Sequence, residues 1–74
     1  MQHDDDLDAR GFLCPLPVLK ARKRLLSLEK NQVLRLVTDD PAALVDVPHF
    51  CAEQGYSLTG QEENGAEMVF YIRK

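Results

Sequence analysis

The sequence has little cysteine: Cys14 and Cys51 are its two cysteines among 74 residues. Two cysteines so far apart do not make a disulfide scaffold, and the Cys-X-X-Cys pair of disulfide oxidoreductases does not occur. No apolar run approaches the roughly 20 residues of a membrane-spanning helix, and there is no secretory hydrophobic region. We therefore expect a reducing, cytoplasmic setting and no membrane partner.

Positive charge is also scarce. The chain has 9 Lys and Arg against 12 Asp and Glu, a net charge of −3, so bulk electrostatics do not favour a direct nucleic-acid partner. The length allows one hydrophobic core, and a composition that is 45% apolar is typical of a folded globule. We predict a single domain over residues 1–74, in which the polar segment 1–6 is flexible.

The most informative segment is Cys14-Pro15-Leu16-Pro17, at the start of an amphipathic stretch. Proline has no backbone N–H and a fixed φ, so it is tolerated in the first helical turn and is costly further in. The residue before a proline is pushed towards extended backbone, which is also the conformation of an N-cap residue. The pattern predicts Cys14 at the N-cap, Pro15 at N1 and Pro17 at N3.

In that register the Cys14 sulfur takes the place of a capping oxygen. Since Pro15 and Pro17 have no N–H, the nearby free donors are those of Leu16 and Val18. Free amides and the helix dipole favour negative charge, and a helix N-terminus can lower a cysteine pKa from about 8.5 to roughly 3.5–7.5. Cys14 is therefore a candidate nucleophile. The alternative is a small buried hydrophobe, as free cysteines often are.

Hydrophobic periodicity predicts two strands and a helix in the first half of the chain. The strands cover residues 7–10 and 33–38, and the helix covers 15–28. One face of the helix carries the apolar positions Val18, Ala21, Leu25 and Leu28. This face is expected to meet the core.

The run Asp39-Asp40-Pro41 predicts the start of a second helix, which ends at Gly55. Pro48 lies inside this stretch and leaves two alternatives. Either a short turn covers residues 42–46 and the main helix starts near residue 47, or the helix is continuous and bent.

A hairpin of strands 56–62 and 66–73 ends the chain. A three-residue loop 63–65, with Gly65 left-handed, pairs Leu58 with Phe70 and Tyr56 with Ile72 and so gathers apolar residues on one face. The complete order, β-α-β-α-β-β, predicts an α+β two-layer sandwich with two helices on one face of a four-stranded mixed sheet. The first two strands should be parallel, with a right-handed crossover.

The motif and its surroundings resemble the Cys-Pro-X-Pro signature of the TusA/SirA-like sulfur carriers. The likeness begins with the run Leu7-Asp8-Ala9-Arg10-Gly11-Phe12-Leu13-Cys14-Pro15-Leu16-Pro17-Val18. It continues through Lys20, Arg22-Lys23, Asp39-Asp40-Pro41-Ala42, Asp46-Val47-Pro48-His49-Phe50-Cys51 and Tyr71-Ile72-Arg73-Lys74. It covers nearly the whole chain and implies the βαβαββ sandwich that the periodicity predicts independently.

The resemblance also implies a function. Carriers of this family accept a sulfane sulfur as a persulfide from a cysteine desulfurase or rhodanese and pass it to an acceptor protein, for example towards 2-thiolation of the tRNA wobble uridine. By motif match the catalytic cysteine is Cys14, with Pro15, Leu16, Pro17 and Val18 supporting it at the helix start. No cofactor is implied.

At one position the chain departs from the pattern. TusA itself has an acidic residue between the two prolines, where this chain has Leu16. An apolar residue there suits a docking surface, but it also suits SirA-like relatives that deliver sulfur to molybdenum enzymes or act in sulfur oxidation. The pathway stays open.

Basic residues near the motif are candidates for partner docking. They are Arg10, Lys20, Lys23 and Arg24. A basic rim beside the sulfur would steer an acidic surface of the partner towards it. The alternative is an ordinary solvated helix face.

Three further side chains could carry chemistry. The helical spacing of Cys51 predicts a core residue, and His49 is expected at the surface rather than in proton transfer. Together with Cys14 and His3 they show no recognised ligand spacing, so we expect no metal site.

Two functions of other classes also fit the sequence. One is a non-catalytic interaction or regulatory module in which the prolines only cap a helix. The other is redox sensing through a Cys14–Cys51 disulfide, which requires Cα atoms within about 7 Å. The predicted burial of Cys51 disfavours the second.

Overall fold

The structure of the chain, a computed structural model, describes residues 2–74. Its elements in chain order are β1 (Asp5–Asp8), α1 (Leu16–Leu26), β2 (Val33–Thr38), α2 (Ala43–Gln54), β3 (Ser57–Asn64) and β4 (Glu67–Arg73). The strands form a mixed sheet in the order β1-β2-β4-β3, in which the β1–β2 pair is parallel and the other pairs are antiparallel. The predicted βαβαββ fold with two helices and a four-stranded sheet is confirmed over these residues.

The first strand begins earlier than predicted. Asp5 pairs with Leu34 in β2, and the backbone N–H of Asp4 donates to the carbonyl of Val33 at 2.8 Å. The prediction of a flexible segment 1–6 is therefore wrong for Asp5 and Asp6, because pairing with β2 outweighs the exposure of their carboxylates. Met1 lies outside the described residues.

The core lies between one face of the sheet and the two helices. In β4, Met68, Phe70 and Ile72 point into it, and β2 contributes Leu34 and Leu36. Both helices contribute buried side chains to this core. Those of α1 are Ala21 and Leu25, and those of α2 are Ala43, Val47, Phe50 and Cys51. Val18 and Leu28 pack against this cluster, so the predicted apolar face of the first helix is confirmed, although the helix itself ends at Leu26.

The second helix is continuous through Pro48, as in the second of the two alternatives. It begins at Ala43, two residues after the predicted proline start. The backbone before it is a tight turn, in which the N–H of Ala43 donates to the carbonyl of Asp40 at 3.0 Å. The helix ends at Gly55, whose φ of 75° is the left-handed conformation that glycine adopts without strain.

The hairpin register differs from the predicted one. Asn64 pairs with Glu67, so the loop is the two residues Gly65-Ala66, and Leu58 pairs with Ile72 rather than with Phe70. Gly65 is left-handed as predicted, with φ of 63°. A bulge between Leu58 and Gly60 shifts the register by one residue and returns Leu58 to the core side. The periodicity argument assumed an unbroken ladder and therefore chose the wrong loop.

Substitution of two adjacent leucines of α1, Leu25 and Leu26, tests which face of this helix packs against the core. Leu25 is 0% exposed and Leu26 is 64% exposed. We expect Leu25→Ala to lower the free energy of unfolding by about 2–5 kcal/mol, because the side chain is lost from a packed interior. Leu26→Ala, the matched control, should change it by less than about 0.5 kcal/mol. Urea denaturation measures both, and similar losses in the two variants would contradict the described core.

Candidate functional site

Cys14 does not cap the first helix. The helix starts at Leu16 with Pro15 at the N-cap, so Cys14 precedes the cap by one residue and Pro17 stands at N2. The Cys14–Pro15 peptide bond is cis. The Leu16 N–H donates to the carbonyl of Leu13 at 2.9 Å, which closes a turn ahead of the helix. The predicted register is therefore wrong by one residue.

One of the two predicted donors is engaged, because the N–H of Leu16 donates to the carbonyl of Leu13. Val18 is half-buried against the core. No side chain makes a capping hydrogen bond at this helix start. The four motif neighbours Pro15, Leu16, Pro17 and Val18 form the first turn beside Cys14, and Pro15 and Val18 line its groove.

The thiol of Cys14 is instead hydrogen-bonded to a carboxylate. Its thiol donates a hydrogen bond to Oδ2 of Asp46 at 2.8 Å. This hydrogen bond, followed by partial desolvation and by the negative charges of Asp46 and Asp40, raises the pKa of Cys14. The prediction of a lowered pKa is wrong, because two acidic side chains lie where the helix start alone would have favoured an anion.

A second carboxylate holds the backbone of the cysteine. The N–H of Cys14 donates to Oδ2 of Asp40 at 2.6 Å, and the other oxygen of Asp40 accepts from the N–H of Ala42 at 3.1 Å. Next to it, Asp39 accepts from the N–H of Gly11 at 3.0 Å. Asp39 and Asp40 thus fasten the loop that carries Cys14 to the turn that precedes α2.

The three acidic residues Asp39, Asp40 and Asp46 were not identified as site residues from the sequence. A usable signal was present. Asp39 and Asp40 directly follow β2, and the loop of Cys14 follows β1, which is parallel to β2. Because the carboxyl ends of parallel strands meet at one edge of a sheet, the two segments had to be neighbours.

A groove of about 210 Å³ runs beside the sulfur. Cys14, Pro15 and Val18 form one side, and α2 supplies Asp46, His49, Phe50 and Glu53 on the other. On α2 the three polar residues recur at intervals of three and four, so they lie on one face of the helix. His49 is exposed, as predicted, and lies 3.3 Å from Glu53.

Exposed apolar side chains border Cys14, which is itself exposed. Leu13 is 71% exposed and Leu16 is 43% exposed. Large apolar side chains clustered in solvent around one reactive atom are typical of an interaction site.

The predicted basic rim is not one continuous surface. Arg10 forms ion pairs with Asp8 at 2.8 Å and with Glu67 at 3.0 Å, and its hydrogen bonds lower the pKa of Asp8 to about 2. Arg24 is bound to Asp5 at 3.0 Å. None of the four basic residues lines the groove of Cys14.

Lys20 and Lys23 are placed differently from the two arginines. The ammonium of Lys20 lies 4.3 Å from the centre of the Phe12 ring, and Lys23 is exposed. Both lie on the outer face of α1, which begins beside Cys14. Their charges are therefore available to a partner that approaches this helix.

Cys51 is buried in the core, as predicted, and burial raises the pKa of its thiol to about 11. Neither cysteine forms a disulfide. Within residues 2–74, no three His, Cys, Asp or Glu side chains are grouped so as to hold a metal ion. No helix in the same range has the length and apolar character needed to cross a membrane.

The fold and the site define a small α+β domain that presents one accessible thiol at the junction between a loop and its first helix. Comparison with protein families gives the particular assignment. The model of the family described as "Sulfurtransferase TusA" matches residues 5–74. The chain belongs to the TusA sulfurtransferase family.

Individual relatives agree with this assignment. The chain is 39% identical over 72 residues to the sulfur carrier protein TusA of Pseudomonas entomophila, covering 97% of this chain and 90% of the relative. It is 38% identical over 71 residues to the TusA of Allochromatium vinosum, covering 96% and 93%. The crystal structure of a SirA-like protein from Desulfitobacterium hafniense superposes with a TM-score of 0.83 at 25% identity, covering 95% and 96%.

The hydrogen bond to Asp46 gives a direct prediction for the chemistry of Cys14. A carboxylate that accepts from the thiol stabilises the protonated form, so Asp46→Asn should lower the pKa of Cys14 and speed its alkylation at neutral pH. The measurement is the rate of iodoacetamide alkylation against pH, with the modified residue located by mass spectrometry.

The matched control is Glu62→Gln, which removes an exposed carboxylate from the hairpin, outside the groove of Cys14. Its titration should follow that of the unmodified chain. An alkylation midpoint that stays in place or rises in Asp46→Asn would contradict the assigned role of this carboxylate.

Proposed function

We propose that the protein is a sulfur carrier in which Cys14 accepts a sulfane sulfur as a persulfide and passes it to an acceptor protein. The observation that carries the proposal is the accessible Cys14, whose thiol donates to Asp46 and whose backbone N–H donates to Asp40. The family and the named relatives support it. Cys51 is buried and has a raised pKa, so it does not compete for the sulfur.

The transfer is a thiol–persulfide exchange. The sulfur of Cys14 attacks the outer sulfur of the donor persulfide, a new S–S bond forms, and the S–S bond of the donor breaks. The donor cysteine leaves as a thiolate and takes up a proton, which balances the proton lost by Cys14. The sulfane sulfur keeps its oxidation state, so no oxidant or reductant is needed. Discharge repeats the same exchange with the acceptor as nucleophile.

The partners follow from this chemistry. The donor is a protein that forms a cysteine persulfide, a cysteine desulfurase or a rhodanese, and the setting is the cytoplasm. The destination we favour is 2-thiouridine synthesis in tRNA, which the resemblance to the TusA/SirA-like carriers implies. Leu16 replaces the acidic residue that TusA itself has, which keeps molybdenum-enzyme maturation and sulfur oxidation as alternative destinations.

Docking is proposed on the outer face of α1. Leu16, Leu19, Lys20 and Lys23 recur at helical spacing along this face and start beside Cys14. An apolar stripe with two lysines suits a partner surface that is apolar and acidic. Arg10 and Arg24 were predicted for the same role, but their internal ion pairs give them a structural task as well.

The carrier proposal is tested by loading the protein with sulfur. Incubation with a cysteine desulfurase and cysteine should add the mass of one sulfur atom, because each carrier has one accessible thiol. Cys14→Ser should not gain this mass, whereas Cys51→Ser, the matched control, should gain it. A mass gain that survives Cys14→Ser, or no gain in any variant with desulfurase or rhodanese donors, would refute the proposal.

The docking face is tested by charge reversal. Lys20→Glu combined with Lys23→Glu should slow sulfur loading by about tenfold at low salt, because electrostatic attraction mainly sets the association rate. The difference should shrink at high salt. Lys30→Glu, an exposed lysine beyond the end of α1, is the control. Equal loading rates for the double variant and the control would place docking elsewhere.

A further inference from the structure

The groove beside Cys14 is acidic and contains no fixed cation. Asp46 and Glu53 lie along its α2 side, and Asp40 lies in the adjoining hollow on the other side of the sulfur. Among the residues that line these two hollows, His49 is the only basic side chain. It lies 3.3 Å from Glu53 and carries a charge only when protonated.

The shape of the groove is suited to a side chain with an aliphatic stem. Val18, Phe50 and Pro15 give it apolar walls, and the carboxylates stand at the same opening as the sulfur. A volume of about 210 Å³ is enough for one long side chain. Lysine and arginine bury their methylene stems against apolar surface while the charged head stays at a polar rim.

We propose that the groove receives a lysine or arginine side chain of the partner protein, whose charged head binds Asp46 and Glu53 next to Cys14. The proposal rests on the carrier function for the existence of a partner protein. The binding of a cation depends only on the charges and shape of the groove itself. It also separates two parts of one interface: the lysines of α1 face an acidic surface of the partner, and the groove faces a basic side chain.

The same contact would free the Cys14 thiol from its hydrogen bond to Asp46. Asp46 accepts the hydrogen bond of Cys14 in the free chain. A guanidinium or ammonium group that binds Asp46 competes for this oxygen and offsets its negative charge, so the thiolate becomes more favourable as the partner docks. The free carrier would stay protonated and weakly reactive, and loading would begin only where a partner supplies the cation.

Charged thiol reagents test the groove without any partner. Two methanethiosulfonates are compared at low salt and pH 8, where histidines are in general largely neutral: the cationic trimethylammonioethyl reagent and the anionic sulfonatoethyl reagent. In each, the Cys14 thiolate attacks the sulfenyl sulfur, a disulfide forms and methanesulfinate leaves. The ratio of the two rates cancels the thiolate fraction, so it reports the charge environment of the groove alone.

In a Cys51→Ser background, so that Cys14 is the reacting thiol in both states, the cation-to-anion rate ratio in the folded chain should exceed that in the urea-unfolded chain by about tenfold, since Asp46 and Glu53 line the groove that the reagent enters. Asp46→Asn and Glu53→Gln should each lower the ratio by about threefold. Glu62→Gln, at an exposed position of the hairpin with the same change of net charge, should leave it unchanged.

A folded-chain ratio no greater than the unfolded one would overturn the proposal, as would equal effects of Glu53→Gln and Glu62→Gln. Because these reagents need no persulfide, failure of sulfur loading together with a raised ratio would refute the carrier function and leave the cation-binding groove standing. Normal loading together with an unraised ratio would do the reverse.

Discussion

The candidate site depends on the hydrogen bonds between the loop of Cys14 and the carboxylates that follow β2. Asp39 binds the N–H of Gly11 and Asp40 binds that of Cys14, at 3.0 and 2.6 Å. Charge-assisted bonds of this kind are stronger than neutral ones, and they fix a loop that has few buried apolar atoms of its own. With the backbone held in this way, the thiol is aimed at Asp46 and at the groove beyond it.

This arrangement lowers the reactivity of the Cys14 sulfur. The hydrogen bond to Asp46 raises the pKa of Cys14, and Asp40, which holds the loop, adds to the effect through its negative charge, so the free thiol is less nucleophilic than one at an unencumbered helix start. For a carrier that must react with chosen partners, a resting thiol limits reaction with other electrophiles. In the proposed scheme, the positive charge that raises its reactivity arrives with the partner, which couples sulfur transfer to recognition.

Most of the fold could be predicted from the sequence because it follows from local patterns. Period-3.6 spacing placed Ala21 and Leu25 on the buried face of α1, and a run of β-favouring residues predicted the strand Val33–Thr38. The errors arose where contacts between strands changed the register or the extent that the local sequence pattern predicts. The bulge between Leu58 and Gly60 altered the hairpin register, and pairing with β2 drew Asp5 into the sheet.

The sequence by itself identified Cys14 as the candidate reactive cysteine and placed it near a helix start, because the prolines at 15 and 17 restrict where a helix can start. It also determined that Cys51 belongs to the core. Only the tertiary structure decided the electrostatic environment of Cys14. Asp46 is 32 residues away along the chain and meets the sulfur at 2.8 Å only because α1 and α2 pack on the same face of the sheet. The pKa of Cys14 depends on charges within a few ångströms of its sulfur. The sequence around Cys14 does not show which distant residues come that close.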